Sequence, residues 1–560
     1  MKNGMKNTRQ YLFAFLLMMW VSSLLAQNKE KDLGDKEYVI IKDYKPVLAD
    51  ALKISDVPKG DTSTVASPKM KYNPEPRKLE TIYETGVIKP VKIKDEPLTK
   101  LYPALLKLGI GNYSTYYGEL FLNSLRSKTN QYGLHLNHIS GNPTLKDVSY
   151  AGFSKSGGEA YGKYFLDNAT ISGILGFDQQ TLHYYGLNPS DTIVQSSEIK
   201  QRFNHLNIGA GIKSNWLSND HFNYNVTLRY QNLNDLYAAT ENDFLLNAEV
   251  GQMFVDKYFT LLASFDYFKK TDANFEVLDI NSNLSRNIIN LNPTMTVNND
   301  KIHMRLGFDF ALEKNLGTDG HLYPVVEINV PIAEHIVSIY ANVTGNLQKN
   351  NFRTLTLENE FTTSAVKTYK NTSEKIILDG GVTGAFSNQT SFNASGKYKM
   401  ADDMGFFYND TLQPNKFNVV YDNGSVLDIH GELAYHHNEK LTLAGHLDLY
   451  SYKMDTIAKP YHKPNMEIGI TGKYNLVENI FLNAALLSRG SQYARIIEDS
   501  VFTVKKMNGY VDLNAGVEYR YMKNLSFFAN FNNILMSNYE RWYAYPSEKF
   551  NFLAGLTYSF

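Results

Sequence analysis

The chain has no cysteine, which excludes disulfides and every thiolate reaction. It has no excess of charge: 56 Lys and Arg stand against 57 Asp and Glu, a formal net charge of −1. That balance offers no basic field to nucleic acid and no acidic tail. Past Leu25 it has no apolar run of the roughly 20 residues a membrane helix needs. Proline is scarce except at the start. Of 17 prolines, Pro46, Pro58, Pro68, Pro74, Pro76, Pro90, Pro97 and Pro103 all precede residue 104.

What the chain does have is aromatic residues, 39 Tyr and 31 Phe, under a slightly polar mean hydropathy. They recur at two-residue steps. Phe550, Phe552, Ala554, Leu556, Tyr558 and Phe560 share one face of a strand; Asn551, Leu553, Gly555, Thr557 and Ser559 share the other, which is small or polar apart from Leu553. Val226, Leu228 and Tyr230 oppose Asn225 and Arg229. Leu306 and Phe308 oppose Arg305 and Asp309. Leu513 and Val517 oppose Asp512, Glu518 and Arg520. Many such stretches run about 9–13 residues, the length of a tilted membrane-crossing strand. Only every second residue meets lipid, so average hydropathy hides the contact. Unpaired backbone groups are costly in lipid, so the sheet must close. The pattern predicts an all-β membrane protein: one closed antiparallel barrel of about 22 strands (about 18–24) over residues 104–560.

Two segments precede the barrel. Lys2, Lys6 and Arg9 lead into the apolar stretch Tyr11 to Leu25, and Ala26 is a small residue at a cleavage point. Residues 1–26 thus read as a secretory signal peptide. Residues 27–103 are proline-rich, charged and poor in aromatics. Proline at this density breaks helices and sheet interiors, so the stretch is an extended periplasmic arm or a disordered linker. Short breaks such as Ser127 to Thr129, Asn438-Glu439 and Met522 to Asn524 suit periplasmic turns. Long breaks at 141–157, 188–200, 271–286 and 537–549 suit external loops. The long, mixed stretch 350–373 is either an external loop or a segment folded inward.

Certain motifs carry a resemblance. Asn524-Leu-Ser-Phe-Phe-Ala-Asn-Phe-Asn-Asn-Ile-Leu535, then Tyr539-Glu-Arg-Trp-Tyr-Ala-Tyr-Pro546 and the closing strand, resemble the end of TonB-dependent receptor barrels. Leu106 to Phe121 and Tyr44 to Lys53 resemble a Bacteroidota group of such receptor-like proteins. The resemblance implies an outer-membrane location and a barrel that binds or passes a solute. It departs in one respect: those receptors carry a globular plug of about 100–150 residues, and the stretch 27–103 is too short and too rich in proline for one. The alternative is a non-transporting scaffold whose arm recruits a partner of an envelope-assembly or secretion machine.

Candidate site residues follow from the faces. Arg229, Arg305, Asp309, Asp428, His430, Glu432, Asp512, Glu518 and Arg520 are expected in the lumen. Tyr539, Arg541, Trp542 and Tyr543 form an aromatic, basic cluster in the last external loop, suited to a ligand or to interface anchoring. Leu556, Tyr558 and Phe560 match the terminal signal read by the barrel-assembly machinery. Expected partners are outer-membrane lipid, that machinery and a periplasmic protein through 27–103, with no nucleic acid. No nucleophile–base pair, metal-ligand spacing or phosphate loop stands out. His436 and His437 are sequence neighbours on a strand and point apart. No enzyme activity, cofactor or metal is expected.

Overall fold

The structure, a computed structural model, describes residues 101–560 apart from 149, 188–194, 217–220, 273–283, 300, 315–316, 334–335, 367 and 499–500. The described residues all belong to one compact unit. The expected signal peptide and nearly all of the expected arm lie outside the described residues.

Among the described residues, strands β1 to β26 accompany one short helix, α1. Twenty-two strands form a single antiparallel sheet, and β1 (Ala104–Gly111) pairs with β26 (Asn551–Ser559), so the sheet closes. Closure leaves no unpaired edge to face lipid. Phe560 holds the seam. Its carbonyl accepts the Ala104 N–H at 3.1 Å and its N–H donates to the Ala104 carbonyl at 3.0 Å. Beside the seam the Phe528 ring lies over Gly109 and Gly555. A Cβ on Gly555 would come within 2.7 Å of that ring, so the aromatic packs there only against glycine.

The other four strands make two small hairpins, β20 (Gln492–Glu498) with β21 (Val501–Met507) and β24 (Glu540–Trp542) with β25 (Tyr545–Pro546).

The two ends of the barrel differ. At one end the connections are tight. Val255 and Asp256, with φ of 46° and 61°, join β8 (Thr240–Phe254) to β9 (Lys257–Thr271), left-handed pairs that match the twist of a hairpin. At the other end lie the connections 142–152, 184–199, 349–371, 455–465, 490–509 and 533–550. Short turns mark the periplasmic end of such barrels and long loops the external end. The exterior carries exposed Leu228, Tyr230, Leu246, Phe259, Leu261 and Phe308, an apolar and aromatic coat suited to lipid.

Several strands outrun the expected 9–13 residues. β15 (Thr390–Asn409) has 20 and β16 (Phe417–His437) has 21. At about 3.3 Å per residue and a tilt of about 40°, such strands rise to about twice the height of a 25 Å apolar band. Their outer halves pack on the external loops instead of on lipid. Phe153–Gly157, read from the sequence as part of a long loop, is the start of β4 (Phe153–Phe165). Ser154, Ser156, Gly157 and Gly158 give too little apolar contrast for the alternation to show.

Candidate functional site

The stretch 349–371 joins β13 (Val337–Gln348) to β14 (Thr372–Ser387) at the long-loop end. It lies at the external end and also folds inward. A bulge between Thr344 and Asn346 shifts the register just before the stretch begins. Gly345 sits in that bulge, where a Cβ would come within 2.8 Å of the Tyr323 ring and within 2.7 Å of the Glu374 carbonyl. Only glycine allows the approach.

Helix α1 (Phe352–Glu358) then forms. Asn351 caps it: its side chain accepts the Thr354 N–H at 2.9 Å, and the Thr354 hydroxyl accepts the Asn351 N–H at 2.9 Å. This is a reciprocal capping box with Thr in the third position.

The barrel wall finishes what the cap begins. The Glu241 carboxylate on β8 accepts the N–H of Phe352 at 2.7 Å and of Arg353 at 3.3 Å. Lys349 reaches Asp243 of β8 and Asp266 of β9, each at 2.7 Å. Lys270 of β9 donates to the Ser364 carbonyl at 2.9 Å and pairs with Asp272. Arg286 of β10 (Leu284–Asn299) donates to the Tyr369 carbonyl and lies 3.6 Å from Glu313. Glu241, Lys270 and Arg286 are only 2 %, 1 % and 2 % exposed. Charges so deeply buried are tolerated only when paired and hydrogen-bonded.

Between these polar anchors sits an apolar core. Phe352, Leu355, Phe361, Val366 and Tyr369 of the loop pack with Tyr184, Phe203, Leu233, Phe407, Phe417, Trp542 and Tyr545. Phe361 stacks on Tyr545 at 3.7 Å. The Tyr184 hydroxyl donates to the Thr362 carbonyl at 3.1 Å. Burial holds the Tyr184, Tyr369 and Tyr545 phenols well above their ordinary range, so all three stay neutral. The loop thus touches wall strands on several sides of the external mouth and forms a stopper with its own core. Beneath α1, a cavity of about 250 Å³ is bounded by Leu355, Lys397, Phe406, Asp428 and Tyr450.

His462, in the 455–465 connection, is buried against Phe417 and Trp542. Burial, with Lys463 adding to it, lowers its pKa to about 3. Its unfolded value is about 6.5. Between these values the unfolded chain binds a proton that the native one does not. Stability from this group is therefore complete above about pH 6.5 and declines as pH falls towards 3. The heat-modifiable transition of the purified barrel is expected to move to lower temperature between pH 6.5 and 4.5. His462→Leu should flatten that dependence; an unchanged slope would contradict the burial.

No protein-family model and no curated protein sequence matches the chain. Solved structures do resemble it. The ferric enterobactin receptor PfeA of Pseudomonas aeruginosa aligns with a TM-score of 0.62 at 12% identity, covering 82% of this chain and 80% of that one. The ferric-catecholate import receptor Fiu of E. coli K12 aligns with a TM-score of 0.63 at 11% identity, covering 82% of each. FpvA of P. aeruginosa gives 0.62 at 11%, covering 83% and 72%. The fold is that of these receptor barrels.

On that fold the candidate residues separate into groups. Arg305 donates to Glu327 at 2.8 Å. Asp309 is opposite Tyr323 in the register, and the Tyr323 hydroxyl reaches Ser373 at the root of the stopper. Arg229 is opposite Leu245, on the face that also carries Asp243 and Glu241. His430 lies 2.7 Å from Asp448 and 3.8 Å from Glu432, and Asp428 borders the cavity under α1. Asp512 accepts the Tyr539 hydroxyl at 2.9 Å. Arg520 stacks on Phe481 at 4.6 Å; Glu518 is opposite Phe481 in β19 (Ile480–Arg489). These residues therefore occupy several places around the wall, not one site.

The aromatic cluster divides as well. Trp542 and Tyr545 are buried in the stopper core, whereas Tyr539 and Tyr543 border an open cleft and Arg541 is exposed. Trp542 thus packs against Phe407 and Phe417. Glu241, Lys270, Arg286 and Lys349 carry no mark in the sequence that sets them apart from other polar strand or loop residues. Asn351 and Thr354 at capping-box spacing were the one local signal of a helix start in the stopper.

Proposed function

We propose that this chain is an outer-membrane receptor or transport barrel whose external mouth is closed by its own 349–371 loop. The observation that supports this most is the stopper: a buried core and paired buried charges built into the mouth of a lumen. A barrel serving only as an anchor has no use for so costly a set of buried ions. In this reading, residues 1–26 direct export and 27–103 form the periplasmic arm. Leu556, Tyr558 and Phe560 engage the assembly machinery. Arg229, Arg305, Asp309, Asp428, His430, Glu432, Asp512, Glu518 and Arg520 line the passage with both signs of charge, which suits a polar solute better than ion selection.

Planar-bilayer conductance tests this. Four preparations are compared: the mature chain, the chain without 27–103, the chain with 353–366 replaced by a short Gly-Ser link, and the chain with both changes. Current is expected once the stopper is gone, with the arm as a second obstruction where both changes are needed. Heat-modifiable migration verifies that each variant is folded. Folded protein that carries no current in all four preparations would overturn the reading.

A further inference from the structure

We propose that the external cleft between the 142–148 loop, the β20–β21 hairpin and the 533–550 loop binds an anionic oligosaccharide; this rests on the receptor reading above and names its ligand class. The cleft measures about 780 Å³, within the usual range for small-ligand sites.

Its charge is lopsided. Lys146, Lys505, Lys506 and Lys549 face it, against Asp147 and Glu540. The acids are engaged: the Glu540 carboxylate accepts the Ala544 N–H at 2.9 Å, and Asp147 lies 3.9 Å from Lys146. Lys506 and Lys549 are exposed and make no ion pair among the described residues. Unpaired ammonium groups beside a concave surface favour an anion.

The remaining lining decides the kind of anion. Tyr539 is fixed, stacked on Tyr510 at 3.9 Å with its hydroxyl on Asp512. Tyr543 is fixed by Lys505, which donates to its hydroxyl at 3.0 Å. Rigid tyrosine rings offer flat, amphipathic contact at little entropic cost. Thr144, Asn508, Asn538 and Ser547 add neutral hydrogen-bonding groups. Flat rings, neutral donors and acceptors, and free ammonium groups together match a hydroxyl-rich ring compound with acid substituents.

The cleft also adjoins the stopper. The β24–β25 hairpin presents Tyr543 to the cleft and buries Trp542 and Tyr545 in the stopper core, where Tyr545 meets Phe361. A ligand held in the cleft rests on the same hairpin that braces the stopper.

Titration calorimetry on the detergent-solubilised mature chain tests this with tetragalacturonate, the neutral galactotetraose, inorganic phosphate, and a lipopolysaccharide bearing an acidic core. Tetragalacturonate or the lipopolysaccharide should bind at least about tenfold more tightly than the neutral sugar or phosphate, and less tightly as salt rises. Binding by the first alone marks a dissolved glycan; binding by the second marks one carried on lipid. Lys506→Ala with Lys549→Ala, and separately Tyr543→Ala, should each weaken binding about tenfold without changing heat-modifiable migration. The proposal is overturned if neither acidic probe binds, if the neutral sugar or phosphate binds as tightly, or if the lysine variant binds unchanged. Current through the stopper-less barrel with no glycan binding would remove this site and leave the receptor reading. Glycan binding without current would do the reverse.

Discussion

Leu306→Arg is expected to destabilise the barrel by about 2–4 kcal/mol, the cost of an arginine near the middle of a barrel's lipid face. Leu306 lies in β11 (Ile302–Lys314), opposite Met295 and Val326. Together with Phe259, Leu261 and Met295 it borders an apolar groove. Its neighbour Arg305 points the other way, to Glu327. A single-residue slip in register exchanges the two faces. The control is the same residue on the opposite face: Asn342→Arg, opposite Glu327 in the register, should change stability by no more than about 0.5 kcal/mol. Folding titrations into lipid vesicles measure both. Equal tolerance of the two arginines would invert the assignment of faces.

Lys349→Met is expected to cost about 3–5 kcal/mol, the range for removing one partner of a buried ion pair. Among the described residues, Lys349 is the single cation paired with Asp243 and Asp266, at 2.7 Å from each. Methionine fills similar space and leaves two carboxylates facing one another without a counter-charge. The loss should be felt at the stopper first, since the ammonium ties the loop's root to β8 and β9. Asp243→Asn added to Lys349→Met should recover part of the loss, because residues sharing a network are not additive. Thermal unfolding in detergent gives all three values. A strictly additive double variant would show that the three side chains do not act as a unit.

The barrel was legible in the sequence because its period is short and local. Leu228 and Tyr230 against Arg229, or Leu306 and Phe308 against Arg305, declare a two-sided strand without reference to any other part of the chain. Strand number followed; of the two small hairpins, β24–β25 falls in the expected break at 537–549, whereas β20–β21 lies in a stretch not expected to be a loop. Strand length did not follow, since β15 and β16 continue past the membrane to pack on loops, where alternation no longer separates lipid from water.

The stopper was not legible for a related reason. Glu241 and Lys270 read as ordinary inward polar residues, and their burial depends on a loop whose first helix residue lies 111 positions from Glu241. Trp542 and Tyr543 are adjacent in sequence yet end in different surroundings. No pattern within the loop distinguishes the ring that packs inward from the ring that faces a cleft.

The chain's lack of cysteine allows closure of the external mouth to be measured by single-site labelling. Ala239 lies between β7 (Asn223–Asp235) and β8, is 0 % exposed, and packs in the stopper core. Leu412, in the 410–416 connection at the same end, is exposed. Single Ala239→Cys and Leu412→Cys variants are treated on intact cells with a membrane-impermeant maleimide. Leu412→Cys is expected to be labelled and Ala239→Cys to be protected; replacing 353–366 by a short link should make Ala239→Cys react and leave Leu412→Cys unchanged. Labelling of Ala239→Cys with the loop intact would contradict the claim that residues 349–371 close the external mouth.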